Sequence, residues 1–590
     1  MDVKMVWPIT QSAVGFYTGY SKPEYDGKNR YSEYVTMSDG CRLAVDYYIP
    51  TKNGKEASEK LPVVLNFTPY QRITYGRAIP PEMFGVKCPD NLDPEGLYFN
   101  DIGMEGIFDL LKYGYVLSFV DVRGCGASFG ARITTNSRRE ALDGKEIVEW
   151  LASRPFSSGK VGTMGYSYTG QTQLEIASCQ PKGLCCEFVC MTDFDKYDGW
   201  MRNGIQRAFR SEPDVDFGTS PEEIERKIDA ITQMTVPVDA DPDKVLLRQA
   251  ISEHVNSGKQ IPIMQNLKWR NSYWEPSGGE HWNIIGMSGY KKQINEAGAA
   301  IYVVGGTYDV FRRDSIITYE NLSCPKKLLI GPWYHMDTKQ DTRWDLEMHR
   351  WFDYWLKGID NGIMDENPIN IRVANYNFKK HAHFGADTGY YLSAESWPLH
   401  DGKREMLYFS SETQGKSKED NGSLKKDFEI KTDKLMHSAE YGMAAELQSV
   451  ISNAPGGIDE NGLCFTSEPV TSDKRIIGHP MAYVNFSLED AGWMDKDYDL
   501  DIFVNISDYN PQTGEAFLFT YGQLRSSLRK TAECHYDFLG LPWHPCNIGD
   551  NEYLELHKDY ELEIDIMPTS YVLKKGHCLR VSITNAMEGS

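Results

Sequence analysis

The first third of the chain alternates apolar strand patterns with helical patterns, and this alternation limits the fold more than any other feature. Strand patterns occupy residues 42–49, 61–67 and 115–122, and the continuous apolar run of the last is typical of a buried parallel strand. Residues 105–112 and 141–152 have helical spacing. The alternation predicts an α/β layer fold with a mostly parallel sheet.

The character of the sequence changes twice more. Residues 192–295 are rich in charge, Met and Gln and contain helical stretches at 221–234 and 243–255. Strand patterns return at 300–304 and 327–330, which predicts an α/β domain interrupted by a helical insertion. Beyond about residue 367, short alternating segments separated by turn residues predict a β-sandwich or jelly roll. These segments are 369–373, 406–409, 481–488, 500–506, 516–521, 560–566 and 579–583, and the polar stretch 411–427 is predicted to be an exposed loop.

Charge and apolar content exclude several classes of function. The 62 basic and 84 acidic residues give a net charge of -22, and an acidic surface repels nucleic acid. The sequence has no run of about 18 apolar residues, so we expect no membrane span, and its N-terminus has no signal-peptide pattern. Twelve cysteines in 590 residues are too few for a disulfide scaffold, which predicts a cytoplasmic protein. The cluster Cys179, Cys185, Cys186 and Cys190 lacks zinc spacing and is predicted to be buried free thiols.

Ser167 lies in a candidate nucleophile elbow. The segment Gly165-Tyr166-Ser167 follows a short strand signal and precedes an apolar helical run, with Gly170 three residues after the serine. Small residues let a strand turn sharply into a helix, which exposes the hydroxyl and points the next backbone N–H at an oxyanion. Thr169 occupies the usual place of the second glycine, and the motif alone is weak.

A serine nucleophile needs a base, and the base needs an orienting acid. The strand pattern at 301–304 leads through two glycines to Asp309, and the strand pattern at 328–330 leads through a turn to His335. Each residue alone has a plain structural alternative: a helix N-cap for Asp309 and a hydrogen-bonded loop histidine for His335. Together they reproduce the order Ser, Asp, His of α/β-hydrolases at strand ends, where catalytic groups collect.

With these residues in place, the chain resembles the cocaine esterase / X-Pro dipeptidyl-peptidase (CocE/NonD) family of serine hydrolases over nearly its whole length. The resemblance is carried by Phe67-Thr68-Pro69-Tyr70, Asp121-Val122-Arg123-Gly124-Cys125-Gly126-Ala127-Ser128, Asp143 with Trp150, Gly165-Tyr166-Ser167-Tyr168, Tyr308-Asp309, Gly331-Pro332-Trp333-Tyr334-His335 and Phe352-Asp353-Tyr354-Trp355-Leu356-Lys357-Gly358. It implies that Ser167 is the nucleophile, His335 the general base and then acid, and Asp309 the orienting acid. It also implies an oxyanion hole made of the Tyr70 phenol and the Tyr168 backbone N–H; the alternative for Tyr70 is a half-buried structural aromatic.

The resemblance further implies an α/β-hydrolase core, a helical cap inserted between nucleophile and acid, and a C-terminal jelly roll. We therefore expect the core at 1–191 and 296–366, the cap at 192–295 and a galactose-binding-like jelly roll at 367–590. Asp121 and Arg123 are predicted to be a structural charge pair.

Fold and triad imply acyl transfer to water but leave the acyl group open. An esterase or acylase is the leading interpretation, and an X-Pro dipeptidyl-peptidase is the alternative. From another class, a non-catalytic carbohydrate- or partner-binding protein would use the jelly roll and keep the core as a scaffold. We expect small esters, amides or short peptides as substrates, and the resemblance implies a homo-oligomer.

Candidate substrate-binding residues follow from charge. A substrate ammonium needs a carboxylate partner, which Asp195 and Asp198 could supply at the cap entrance. Arg312 and Arg313 stand where related ester hydrolases have acidic residues; they are predicted either to bind an acyl carboxylate or to be surface charges on a helix. The cap tryptophans either line a pocket or form the cap core; they are Trp200, Trp269, Trp274 and Trp282.

No metal or cofactor is predicted. The thirteen histidines include no H-E-x-x-H motif. His381 and His383 are two residues apart and have no clear carboxylate companion.

Overall fold

A computed structural model describes residues 14, 17, 19–75, 97–98, 107–206, 215–335, 344–374, 389–411, 421–427, 462–489 and 497–585. The strands, in chain order, are β1 (Gly27–Thr36), β2 (Arg42–Lys52), β3 (Lys55–Glu56), β4 (Leu61–Thr68), β5 (Thr74–Tyr75), β6 (Leu97–Tyr98), β7 (Val116–Asp121), β8 (Ser157–Tyr166), β9 (Leu184–Cys190), β10 (Tyr273–Trp274), β11 (Gly279–Glu280), β12 (Ala300–Gly306), β13 (Lys326–Gly331), β14 (Ile369–Val373), β15 (Tyr390–Ala394), β16 (Tyr408–Ser410), β17 (Gly422–Lys425), β18 (Gly462–Ser467), β19 (Lys474–Gly478), β20 (Met481–Ser487), β21 (Asp501–Tyr509), β22 (Ala516–Arg525), β23 (Asp559–Asp565), β24 (Thr569–Leu573) and β25 (Cys578–Thr584). The α-helices are α1 (Arg138–Ser153), α2 (Tyr168–Ser178), α3 (Lys196–Trp200), α4 (Pro221–Met234), α5 (Val245–His254), α6 (Gln260–Asn266), α7 (His281–Ile285), α8 (Lys291–Glu296), α9 (Arg312–Asn321) and α10 (Trp344–Trp355).

The core is built on a mixed sheet of eleven described strands. Their order is β1-β2-β7-β4-β8-β9-β12-β13-β14-β15, with β3 paired to β2. All pairs from β7 to β14 are parallel, and antiparallel strands flank them on both sides. The central strands are buried along their whole length, because helices cover both faces of such a sheet. The predicted α/β fold with a mostly parallel sheet is confirmed.

This topology brings the site residues to one edge. β8, β9, β12 and β13 are parallel neighbours, so their carboxyl ends lie side by side. Ser167 directly follows β8, Asp309 follows β12 by three residues, and His335 follows β13 by four. Ligands and catalytic groups of open α/β sheets collect at this edge.

Helices α3–α8 and the hairpin of β10 and β11 lie between β9 and β12, where a helical insertion was predicted. The predicted helix at 221–234 is α4, which starts with a capping box between Ser220 and Glu223, and the one at 243–255 is the shorter α5. The predicted helix at 105–112 is a 3-10 helix, Ile107–Tyr113, in its described part.

The sheet extends past the predicted end of the core at residue 366. The segment 369–373 was expected in the jelly roll, but it is β14, a buried parallel strand beside β13, and β15 pairs with it. A short apolar run fits either domain, so its periodicity could not assign it. The expected loop at 411–427 also differs, because β17 lies within it and pairs with both β16 and β18.

The C-terminal part of the described chain is β-rich. One sheet has the order β16-β17-β18-β25-β21-β22, and two further pairs are β19 with β24 and β20 with β23. Apolar side chains from these strands form their own core cluster. Ala374, just after β14, pairs with Tyr571 of β24 and so links this domain to the central sheet.

Within the described ranges, no helix is both long and apolar enough to cross a bilayer. The same ranges contain no group of three His, Cys, Asp or Glu side chains arranged to hold a metal ion. His381 and His383 lie outside the described residues. Cys186 and Cys190 are buried free thiols, whereas Cys179 and Cys185 are free but only partly buried.

Candidate active site

Ser167 occupies a sharp turn between β8 and α2. Its backbone has φ 59° and ψ -121°, a conformation that costs energy for a residue with a Cβ and that is common at functional turns. The Ser167 N–H donates to the Cys190 carbonyl at 3.0 Å, which ties the turn to β9. A side chain at Gly165 would collide with the Thr169 backbone, so glycine is required there. The hydroxyl is thus presented at the sheet edge by a strained but anchored turn.

Thr169, which replaces the usual second glycine, helps to close this turn. Its Oγ1 accepts the Tyr166 N–H at 2.7 Å and donates to the Tyr166 carbonyl at 2.8 Å. Glycine is required at position 170 instead of 169, because a Cβ at Gly170 would lie 2.7 Å from the Cys190 carbonyl oxygen. The departure from the common motif therefore preserves the geometry of the elbow.

His335 bridges Ser167 and Asp309. Its Nε2 lies 2.9 Å from Ser167 Oγ, and its Nδ1 lies 2.6 Å from Asp309 Oδ2. The Asp309 side chain is fully buried, whereas that of His335 is 17% exposed. The other carboxylate oxygen of Asp309 accepts the Phe311 N–H at 2.6 Å, which fixes the plane of the carboxylate. This is the arrangement in which a histidine can take a proton from the hydroxyl while the acid orients the ring.

Tyr70 lies beside the hydroxyl of Ser167. Its phenol is within hydrogen-bonding reach of the Ser167 side chain and of the Tyr168 backbone amide, and burial raises its pKa. The rings of Tyr70 and Tyr168 meet edge to face, with centroids 6.3 Å apart. A neutral phenol and an amide N–H beside the nucleophile are the donors that an oxyanion requires.

The loop that carries Tyr70 is anchored by Arg72, a residue that the sequence analysis did not single out. The Arg72 N–H and Nη1 donate to the two carboxylate oxygens of Asp121, at 2.5 and 2.9 Å. Its Nε donates to Asp46 at 2.7 Å, and all three side chains are fully buried. Asp121 therefore pairs with Arg72, and the predicted pair of Asp121 with Arg123 is wrong. Arg123 instead binds Asp143 and Asp39.

Asp195 and Asp198 lie together but have protein partners. Arg270 binds both of them, with 2.9 Å between its Nη2 and Asp198 Oδ1, and Tyr536 donates to Asp195 at 2.8 Å. Arg313 pairs with Asp198 at 3.2 Å and with Asp565 of β23. We call Asp195, Asp198, Arg270, Arg313 and Asp565 the ion-pair cluster. It is buried and joins α3, the loop between α6 and β10, α9 and the C-terminal domain.

The alternative of surface charges for Arg312 and Arg313 is wrong, because both side chains are at most 2% exposed. The Arg312 Nε donates to the backbone carbonyl of Asp309 at 2.9 Å, and its guanidinium lies 5.1 Å from the Tyr521 ring centroid. Sequence periodicity could not reveal the burial of these arginines, because the C-terminal domain packs over a face of α9 that would otherwise be exposed to solvent.

The cap tryptophans belong to one apolar cluster. Trp282 is buried at its centre and donates its indole N–H to the Leu267 carbonyl at 2.9 Å; Trp200, Trp269 and Trp274 pack against the cluster. Leu528 and Cys546 of the C-terminal domain complete it. Of the two predicted alternatives, this arrangement corresponds to cap core.

Comparisons with known proteins find relatives over nearly the whole chain. The family model described as X-Pro dipeptidyl-peptidase (S15 family) matches residues 39–337, and that of the X-Pro dipeptidyl-peptidase C-terminal non-catalytic domain matches residues 361–586. A protein of Mycobacterium bovis named "Putative serine esterase" is 26% identical and the alignment covers 96% of this chain and 91% of the relative. Cocaine esterase of a Rhodococcus species is 22% identical, with 94% and 90% covered.

Among solved structures, a CocE/NonD family hydrolase from Staphylococcus aureus superimposes with a TM-score of 0.66 at 18% identity, covering 99% of this chain and 92% of the other. This likeness concerns the fold. The predicted family resemblance is confirmed by the family models and by these relatives.

Proposed function

The chain belongs to the S15 family of X-Pro dipeptidyl-peptidases and is a serine hydrolase, and from that premise we propose that Ser167, His335 and Asp309 are its catalytic triad. The observation that carries the proposal is the single histidine that bridges hydroxyl and carboxylate at 2.9 and 2.6 Å. Ser167 Oγ attacks the acyl carbonyl carbon while His335 Nε2 takes its proton. Asp309 stabilises the imidazolium through Nδ1.

The oxyanion of the tetrahedral intermediate is held by the Tyr70 O–H and the Tyr168 N–H. Collapse of the intermediate expels an alcohol or amine, which receives the proton from His335 and leaves an acyl group on Ser167. Water then attacks the acyl-enzyme, with His335 as base, and the acid product departs. Both donors are in place beside Ser167 before charge develops, which is what makes such stabilisation effective.

We assign the substrate class as carboxylic esters or amides without a free α-amine. The two carboxylates predicted to receive an ammonium, Asp195 and Asp198, are already paired with Arg270 and Arg313. Recruiting them for a substrate would break buried ion pairs, which costs several kcal/mol. An esterase or acylase therefore remains the leading interpretation. The X-Pro dipeptidyl-peptidase alternative is favoured by the two family models, which carry that name.

The test is single-turnover hydrolysis of three substrates by the wild type, Ser167→Ala and the control Ser153→Ala, whose hydroxyl lies on the surface of α1. The substrates are a short-chain aryl ester, the same ester bearing an α-amine, and an Ala-Pro anilide. We expect Ser167-dependent cleavage of the plain ester and no cleavage of the anilide. Preference for the anilide would establish the peptidase instead, and turnover that survives in Ser167→Ala would overturn the triad.

We further infer that the protein works in the cytoplasm as a homo-oligomer on small substrates. The eleven cysteines within the described ranges are all free thiols, as expected for a reducing compartment. Fractionation of native cells tests the compartment, and light scattering at micromolar concentration tests the oligomer. Recovery outside the cytoplasm would contradict the first inference, and a monomer mass of 67.2 kDa would contradict the second.

A further inference from the structure

The phenol of Tyr168 is held at both its donor and its acceptor position. Its hydroxyl donates to Glu140 Oε2 at 2.8 Å and accepts the Asn136 N–H at 2.9 Å. Glu140 lies in the first turn of α1, and Asn136 lies just before that helix; both are at most 2% exposed. A buried hydroxyl with one donor partner and one acceptor partner has its position fixed.

Tyr168 is at the same time the residue whose backbone N–H faces the Tyr70 phenol. It is the first residue of α2 and directly follows the strained turn at Ser167. The Tyr168 ring is held by Glu140 of α1 and by Asn136, and the Tyr168 amide belongs to the turn at Ser167, so one residue couples the position of the ring to the direction of the amide. A displacement of 1 Å at a catalytic group can cost up to about 10²-fold in rate.

We propose that Glu140 is a positioning residue for catalysis: by holding the Tyr168 phenol, it fixes the direction of the Tyr168 N–H toward the oxyanion. This role rests on the proposed function, in which that N–H is one of the two oxyanion donors. Glu140 does not touch the reacting atoms and acts through Tyr168 alone.

The charges around Glu140 make its protonation state matter near neutral pH. Burial raises the pKa of Glu140 to about 7, opposed by the Arg132 guanidinium and by the hydrogen bond from Tyr168. The groups that face it are Arg132 and Cys125 from the preceding loop, Asp143 on its own helix, Tyr168 and Glu175 on α2, and Lys196 on α3. Ionised Glu140 accepts a stronger, charge-assisted hydrogen bond than the protonated form. The hydrogen bond from the Tyr168 hydroxyl to Glu140 should therefore strengthen as pH rises through 7.

The test is a double-mutant cycle of Glu140→Ala and Tyr168→Phe, measured on the ester that Ser167 cleaves. We expect each single variant to lower kcat about 10-fold with KM within about twofold, and the double variant to be no slower than Tyr168→Phe. Glu140→Gln retains an acceptor and should recover kcat to within about threefold. Its pH–rate profile should lose an ionisation near pH 7 that the wild type has in addition to that of the triad.

The matched control is Glu149→Ala on the same helix, whose carboxylate accepts only an exposed Lys182 N–H and which should leave kcat unchanged. Titration with a fluorophosphonate counts the folded sites, so that loss of folding is not read as loss of rate. Equal losses from Glu140→Ala in the wild-type and Tyr168→Phe backgrounds would overturn the positioning role, as would a change confined to KM. If no turnover depends on Ser167, the proposed function itself fails, and this role falls with it.

Discussion

The proposed catalytic triad and the ion-pair cluster both use residues that follow neighbouring parallel strands of the central sheet. The triad residues follow β8, β12 and β13, whereas Asp195, Asp198 and Arg313 of the ion-pair cluster follow β9 and β12. Each arrangement pairs acidic with basic side chains. In the triad, His335 keeps 17% of its side chain exposed and its partner on one side is a neutral hydroxyl. In the ion-pair cluster, the five side chains are at most 7% exposed, and each carboxylate has a guanidinium partner.

The difference separates two uses of charge at one sheet edge. A group that exchanges a proton with a substrate must be reachable by that substrate and must keep one nitrogen free of an ionic partner. A group that joins separate parts of a chain is instead buried, with every charge paired. Substitutions in the triad should therefore lower the rate with little effect on stability, whereas substitutions in the ion-pair cluster should lower stability with little effect on the rate.

The largest effect is expected for Asp309→Asn. The amide keeps the shape of the side chain but cannot stabilise the imidazolium and favours the wrong tautomer of His335, so kcat/KM should fall roughly 10⁴-fold. Thermal unfolding should stay within a few degrees of the wild type, because asparagine has the same shape and its amide oxygen can still accept the Phe311 N–H. A variant that keeps a tenth of the activity would remove Asp309 from the triad.

Arg270→Ala should show the reverse pattern. It leaves Asp195 and Asp198 buried with one cation fewer, so we expect a loss of about 3–5 kcal/mol in the free energy of unfolding. Rates per folded molecule should change less than threefold. Chemical denaturation gives the stability and active-site titration gives the folded fraction.

The control for this prediction is Arg248→Ala, whose ion pairs with Glu225 and Asp229 are exposed and should contribute less than about 1 kcal/mol. If Arg270→Ala abolished turnover of folded enzyme while leaving stability intact, the ion-pair cluster would belong to the active site and the comparison would break.

Tyr70→Phe sharpens the comparison within the active site. Removing one oxyanion donor should lower kcat about 10²–10³-fold with little change in KM, because the bond strengthens only as charge develops. Tyr47→Phe, which loses a phenol hydrogen bond to Glu33 far from the site, is the control and should keep full activity. A Tyr70→Phe variant with normal kcat would make Tyr70 the half-buried structural aromatic of the alternative interpretation.

Several strands of the core and the positions of the three residues that follow them could be predicted from sequence because each signal is local. Apolar runs indicated β7, β12 and β13, and Asp309 and His335 follow the last two of these, whereas Ser167 was indicated by the glycine motif around it. Substrate-binding residues could not be predicted in the same way. Whether Asp198 is free or paired depends on Arg270 and Arg313, which are 72 and 115 residues away in the chain.

The same limit applies to supporting residues. Arg72 and Glu140 carry no motif of their own, and their importance comes from the loops and helices that they join. The assignment of β14 to the core also needed a partner, because its five apolar-rich residues suit either domain. Long-range pairing, rather than local pattern, decided each of these cases.

The smallest effect is expected for Asp314→Asn, next to the ion-pair cluster. Burial raises the pKa of Asp314 to about 7, although Arg313 and Arg202 oppose the rise. Because the pKa in the folded protein exceeds the usual 3.8, the protonated form favours folding below pH 3.8, and this contribution is lost as pH rises through about 7. At about 1.4 kcal/mol per pH unit, ionising Asp314 lowers the free energy of unfolding by at most about 4 kcal/mol. Relaxation of the site reduces the expected gain in stability of Asp314→Asn to about 1–2 kcal/mol.

Asparagine avoids that cost and can still accept the Phe194 N–H, which lies 3.4 Å from Asp314 Oδ1. The variant should therefore match the wild type near pH 4 and become more stable than it between pH 5 and 8. Denaturation midpoints measured across this range provide the check. A variant less stable than the wild type at pH 8 would mean that Asp314 is ionised and paired like Asp198, so that the ion-pair cluster extends one residue further along α9, beyond Arg313.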